Sequence, residues 1–191
     1  NWPGFDLSDI SKTKPAQRRN RCVTDVYEPG STFKAFIWAA MVDAGVADPL
    51  EMIDSDVSPP GRRLRDTRNH GRITVEQVLI KSSNRGMGQL GLRLGAKRLH
   101  DAVCRFGFGV KPGSGAPGEV SGIVHPLAKW TKYSVTSVPM GQEIAVTPLQ
   151  LARAFCVFAN GGFMVTPTIR RIEPEDVGNI VGRHEHVREW G

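Results

Sequence analysis

Apolar residues take up a helical rhythm at residue 31. Phe33, Phe36, Ile37, Ala40, Met41 and Ala44 recur at three- and four-residue spacing, which lines them on one face. Trp38, Ala39 and Val42 fill the other side. The pattern predicts a helix over 31–44, buried all round and stopped by Gly45. Thr74 followed by Gln77 fits a capping box, and Val75, Val78 and Leu79 continue a short helix. Two more helices are expected over 84–94 and 96–106, with Gly95 between them and Gly107 closing the second. Glycines at 86, 88 and 91 weaken the first of these. Thr147, then Pro148, then a Leu/Ala/Phe run to Phe158 signal a helix over about 147–160, ended by Asn160-Gly161-Gly162.

The segments between these helices read differently. Residues 1–30 look irregular, punctuated by Pro3, Gly4, Pro15, Pro29 and Gly30. Residues 46–72 form a long loop region, of a length that more often covers or serves a site than idles. Residues 107–122 are glycine-rich, but Pro112 stands where G-x-G-x-x-G needs its last glycine and no strand pattern precedes it. A nucleotide loop is therefore rejected. Residues 163–172 read as extended, and the tail is charged and poorly patterned. Strand signals are scarce and no internal repeat is visible, so the piece is expected to be mainly α.

Composition bounds this picture. With 191 residues, 40% hydrophobic and 23% charged, the chain can build a core, which excludes wholesale disorder. Its length suits one domain, or one domain plus a lobe. The longest apolar run, Ala35 to Val42, is far shorter than the roughly 20 residues of a membrane helix. No signal peptide is visible. The first residue, Asn1, hints at an excised or incomplete piece. Net charge is +6, with arginine clusters at 18, 19 and 21 and at 62, 63, 65, 68 and 72. No aromatic residues interleave with them as a stacking platform requires, so they read as solvated faces and no nucleic-acid partner is expected. Cys22, Cys104 and Cys156 are odd in number and lack metal-knuckle spacing. Each has apolar sequence neighbours and reads as a small buried hydrophobe. His184 and His186 near the tail make no metal site by themselves, so neither metal nor cofactor is expected.

Chemistry enters at Glu28-Pro29-Gly30-Ser31-Thr32-Phe33-Lys34. A Pro-Gly turn delivers a serine to the start of an apolar helix, and a lysine follows one turn on. That spacing lets the amine reach the hydroxyl. A buried setting and a helix N-terminus both depress a lysine pKa, so a neutral amine could serve as general base. The Ser31 N–H could donate to a developing oxyanion. S-x-x-K is nonetheless a cheap pattern, with about one chance match expected per chain of this size. Ser11-Lys12-Thr13-Lys14 is such a decoy: Pro15 follows it and no apolar helix opens there. Lys81-Ser82-Ser83-Asn84 falls between two expected helices. Its hydroxyl and amide could face one site, or simply cap a helix junction.

Together the two motifs form S-x-x-K followed by S-x-N, the active-serine pattern of penicillin-binding proteins and serine β-lactamases. RNRCVTDVYEPGSTFKAF resembles the nucleophile segment of class B penicillin-binding proteins, most of all the division-type peptidoglycan D,D-transpeptidases. NHGRITVEQVLIKSSNRGMGQL resembles their second-motif segment, RFGFG the loop after it, and VPMGQEIAVTPLQLARAFCVFANGG their late helix. The similarity covers most of residues 1–172 in the family's order. The resemblance implies that Ser31 attacks a D-Ala-D-Ala stem peptide, with Lys34 as base, Ser82 as proton relay and Asn84 as the group that holds the substrate amide. It implies acylation by β-lactams, division glycosyltransferase and divisome partners, and a place on the extracytoplasmic face of the inner membrane, anchored by a helix this chain does not contain.

The family's third motif, Lys-Thr-Gly or a close variant, has no match. The chain has no Thr-Gly pair, and Ser114-Gly115 and Ser121-Gly122 lack a preceding basic residue and fall too early. Lys111-Pro112-Gly113 is a proline loop. The resemblance therefore implies one partial transpeptidase domain over 1–191. It would be the helical portion of the β-lactamase/transpeptidase-like α+β fold, with the N-terminal hairpin and C-terminal strands of the antiparallel sheet missing. Isolated, such a piece is expected to expose apolar helix faces. A class D-like β-lactamase, a β-lactam sensor domain and a non-catalytic division scaffold are the rival readings. Asp66 is expected only to anchor its loop, Trp38 to lie in the core, and Gly141-Gln142 to carry little weight.

Overall fold

The computed structural model describes residues 8–171, 173 and 174. Local sequence explains where its elements begin. A 3-10 turn over Ile10–Lys12 leads to two single-turn helices, α1 (Pro15–Arg18) and α2 (Arg21–Thr24). The Asn20 side chain accepts from Cys22 N–H at 3.2 Å and so starts α2. These turns correct the expectation of an irregular start: proline and asparagine begin helices here as readily as they break them. The decoy Ser11 hydroxyl donates to Asp9 Oδ1 at 2.6 Å.

The expected 31–44 helix is divided. Gly30–Phe33 winds as a 3-10 turn, and α3 proper spans Lys34–Asp43. Phe33, Phe36, Ile37 and Met41 are fully buried, while Trp38, Ala39 and Val42 are half-buried, so α3 is central without being enclosed all round. Trp38 lies at the core's edge, its indole N–H donating to Val75 O at 2.9 Å.

The long 46–72 loop conceals a strand. β1 (Met52–Asp54) pairs antiparallel with β2 (Arg72–Thr74), Ile53 opposite Ile73. Only the middle residue of each is buried, too short a pattern to read as alternation. Thr74 then caps α4 (Val75–Ile80) in the expected reciprocal box with Gln77. α5 (Asn84–Leu94) and α6 (Ala96–Arg105) follow, joined by Gly95 at φ 80°.

The α5 glycines are demanded by packing rather than tolerated. A Cβ at Gly91 would lie 2.2 Å from Val135 O, and one at Gly88 would lie 2.6 Å from Leu64 Cδ1. β3 (Ile123–Val124) pairs antiparallel with β4 (Ile144–Ala145), and between them lies α7 (Ser134–Ser137). α8 (Pro148–Ala159) is capped by Thr147 and Gln150. Of residues 163–172, expected to be extended, Phe163 forms an isolated bridge, 164–171 hold no strand, and 172 lies outside the described residues.

An aromatic cluster ties α3 to α6 and α8. The Phe36 ring lies 4.7–5.6 Å from the rings of Phe33, Phe106, Phe108, Phe155 and Phe158. Each fully buried aromatic contributes about 1.5–3 kcal/mol. Cys22 and Cys104 are exposed and Cys156 is half-buried, and all three are free thiols, which corrects the expectation of buried cysteines. Cys104 sits on the side of α6 opposite its buried Leu99, Ala102 and Val103, 3.8 Å from His100 Nδ1. Apolar neighbours in sequence did not put it on the inner face.

Candidate active site

The Ser31 turn is set by its flanks. Gly30 adopts φ 58°, a left-handed geometry that glycine takes without penalty. Thr32 Oγ1 donates to Pro29 O at 2.8 Å, tightening the turn. Phe33 and Phe36 anchor it in the core. Ser31 is left exposed, while Lys34, one turn on, points inward and is 1% exposed.

Opposite lies the turn between α4 and α5. Ser83 N–H donates to Val78 O at 2.9 Å and Ser82 N–H to Leu79 O at 3.0 Å, the paired bonds that end a helix through a left-handed residue. That residue is Ser82, at φ 54°. A non-glycine there costs about 1–2 kcal/mol. Ser83 caps α5 by accepting from Gly86 N–H at 2.9 Å.

Lys34 joins the two turns. Its Nζ donates to Ser82 O at 2.6 Å, Ser82 Oγ at 3.0 Å and Asn84 Oδ1 at 2.7 Å. A buried ammonium must place its protons on acceptors, and this turn supplies one for each. The i, i+3 spacing suggested that the amine would bond Ser31. No hydrogen bond joins them, because the amine is drawn to the oxygens of the 82–84 turn. Burial pushes the Lys34 pKa down to about 8, and the charge of Asp66 partly opposes that fall.

Asp66 does more than anchor its loop. Its carboxylate accepts from Ser83 Oγ at 2.6 Å, Asn84 N–H at 2.5 Å and Arg85 N–H at 3.2 Å, so it caps α5 at the site. Asn84 Nδ2 donates to Arg65 O at 2.9 Å, which orients its Oδ1 toward Lys34. No motif spacing in the sequence signals Asp66; only its loop's placement before the second motif hints at it.

Gly141 also does more than its sequence context suggests. Gly30 N–H donates to Gly141 O at 3.1 Å, and a Cβ at 141 would lie 2.2 Å from Gly30 O. Only glycine permits this approach to the Ser31 turn. Gln142 is exposed beside it. Among the described residues no group of three or more His, Cys, Asp or Glu could hold a metal. His184 and His186 lie outside the described residues.

Comparison with known proteins bears on the whole chain. The family described as the penicillin binding protein transpeptidase domain matches residues 3–189. The probable peptidoglycan D,D-transpeptidase PenA of Neisseria meningitidis is 31% identical over 190 residues, covering 99% of this chain and 33% of the relative. Peptidoglycan D,D-transpeptidase FtsI of Escherichia coli is 31% identical over 189 residues, covering 98% of this chain and 32% of the relative. The chain thus spans about a third of the length of these curated relatives. The transpeptidase domain of Burkholderia pseudomallei penicillin-binding protein 3 superposes with a TM-score of 0.77 at 28% identity, over 83% of this chain and 49% of that one. Penicillin-binding protein 3 of Mycobacterium tuberculosis, solved with aztreonam, gives a TM-score of 0.77 at 30% identity, over 90% of this chain and 39% of that one. Matching sequence along nearly the whole chain, and matching fold over most of it, place it: the chain belongs to the penicillin-binding protein transpeptidase domain family.

Proposed function

We propose that the protein is a peptidoglycan D,D-transpeptidase in which Ser31 is the nucleophile, Lys34 its base, Ser82 a proton relay and Asn84 a substrate-amide holder. The observation that carries this reading is the buried Lys34 amine, with its lowered pKa, bonded to both Ser82 and Asn84 one turn from an exposed serine. At pH 7 about a tenth of such an amine is neutral. Losing one proton gives Nζ a lone pair, and the Ser82 hydroxyl, both donor and acceptor, can reverse its bond.

The chemistry then balances. Ser31 Oγ attacks the carbonyl carbon of the penultimate D-Ala and its proton passes to Lys34 Nζ. The C–O bond forms first, placing charge on the carbonyl oxygen, and the peptide C–N bond breaks as that oxyanion collapses. Ser82 gives its proton to the leaving D-Ala amine and takes one from Nζ. The Ser31 N–H, in the first turn of its 3-10 segment, stabilises the oxyanion. A neighbouring stem peptide's amine attacks the ester, forming the crosslink and restoring the Ser31 hydroxyl. β-Lactams, as mimics of D-Ala-D-Ala, stop at the ester.

Within this proposal, residues 1–191 are part of one transpeptidase domain. The full-length protein acts on septal stem peptides outside the cytoplasmic membrane, held there by an anchor and working with a division glycosyltransferase. The relatives' names support the substrate, and the crystal structures of Mycobacterium tuberculosis penicillin-binding protein 3 with aztreonam and with ampicillin support β-lactam binding.

The test is acylation of the full-length protein by fluorescent penicillin between pH 6 and 10. The rate rises about tenfold per pH unit and levels above about 8, because only neutral Lys34 is a base. Ser31→Ala takes no label. A rate that is flat through pH 8, or labelling of Ser31→Ala, refutes the assignment.

A further inference from the structure

Two non-glycine residues adopt left-handed backbone among the described residues: Ser82, already in the site, and Glu143, at φ 61°. Strain at a residue with a Cβ persists only where its surroundings hold it, and such residues concentrate at working sites. Glu143 is held by contacts on two sides.

Glu143 lies on a strap, residues 138–146, that runs past the nucleophile turn. The strap holds Tyr27, Glu28 and Gly30, three of the four residues before Ser31. Tyr27 and Val146 exchange backbone hydrogen bonds at 3.1 and 2.9 Å. The Glu28 carboxylate accepts from Glu143 N–H at 2.9 Å. Gly30 N–H donates to Gly141 O at 3.1 Å. Glu143 itself is gripped from the far side. Ser134 Oγ, at the start of α7 and 2% exposed, donates to Glu143 Oε2 at 2.6 Å, a short charge-assisted bond. The Ser134 hydroxyl in turn accepts from Thr131 N–H at 3.0 Å. A glycine would adopt φ 61° more cheaply but could not make this bond.

We propose that Glu143 is a positioning residue for the nucleophile: latched to Ser134, it holds the strap in the conformation that fixes the Ser31 turn. This rests on the reading of Ser31 as nucleophile. Glu143 acts through Glu28 and Gly141. Release of the latch loosens the strap, and Ser31 loses its alignment with the Lys34–Ser82 pair.

The experiment uses the full-length protein and fluorescent penicillin, with the non-covalent binding constant resolved from the acylation rate constant. Glu143→Gly lowers the acylation rate constant on the order of tenfold, because small misplacements of a nucleophile are costly. Its binding constant and Tm stay near wild type. Glu143→Gln retains most of the rate, since its amide oxygen still accepts from Ser134. Ser134→Ala matches Glu143→Gly, and the double variant adds nothing, as expected of two halves of one contact. The proposal is overturned if Glu143→Gly acylates at the wild-type rate, if Glu143→Gln loses as much as Glu143→Gly, or if every loss simply tracks Tm. Should Glu143→Gly fail to fold, the contrast between Ser134→Ala and Glu143→Gln decides alone. A wild-type protein that takes no label, or a labelled Ser31→Ala, instead removes the nucleophile reading and this proposal with it.

Discussion

Ser82 shows how one side chain can be kept against local preference. It ends α4 at φ 54°, where glycine is the unstrained choice, and its hydroxyl is 3.0 Å from Lys34 Nζ. Ser82→Gly should therefore leave Tm unchanged or higher while acylation falls by 100-fold or more, on the order of a lost general acid–base group. A matching fall in Tm contradicts this account of the residue. Asp66 allows a test of sign. Its carboxylate raises the Lys34 pKa against the larger opposing effect of burial. Asp66→Asn removes that support, so the Lys34 pKa falls below about 8 and the acylation pH profile moves to lower pH. A midpoint that stays put or moves to higher pH would show that Asp66 does not act on Lys34. At this scale the sequence pointed to residues that the fold brings together, Lys34 with Ser82 and Asn84, but the spacing of Ser31 and Lys34 misled as to the amine's partner. It offered only a loop anchor for Asp66 and nothing for Glu143, because Asp66 meets Ser83 across 17 residues of chain and Glu143 meets Glu28 across 115.

Elements were legible where caps or periodicity spoke. The Thr74 and Thr147 boxes set the starts of α4 and α8. β1, β2, β3 and β4, of two or three residues each, are below the length at which alternation carries a signal. Helix α5 was read against the low helix propensity of Gly86, Gly88 and Gly91, and tertiary packing overrides that propensity. Val78 lies 2.7 Å from a Cβ at 86, Leu64 is 2.6 Å from one at 88, and Val135 O is 2.2 Å from one at 91. Gly91→Ala gains helix propensity yet forces apart α5 and α7 at backbone. It should destabilise by about 1–3 kcal/mol, an overpacking cost, read as a lower Tm or denaturation midpoint. A more stable Gly91→Ala would mean that propensity, and not the close approach, governs this helix.

On the scale of the molecule, one polar corner and one apolar face stand out. The corner gathers the Ser31 turn, the 82–84 turn, Asp66 and the strap. The face carries Phe155 and Phe158, 40% and 47% exposed, beside a cavity of about 240 Å³ lined by Ala39, Phe106 and Val157. Apolar helix faces of this kind were expected from the resemblance, which also led to the family that the whole-chain comparison establishes. Local sequence could not give the geometry of the Lys34 amine, which is set by contacts across 48 and 50 residues of chain. The central claim is that the exposed serine of the first motif is the acylated atom. The most direct measurement is peptide mapping by mass spectrometry after the full-length protein reacts with benzylpenicillin. Tryptic cleavage yields the peptide Cys22–Lys34, and the account places one penicilloyl adduct on it, at Ser31, and none in Ser31→Ala. An adduct on Ser11 or Ser82, or one that persists in Ser31→Ala, would contradict it.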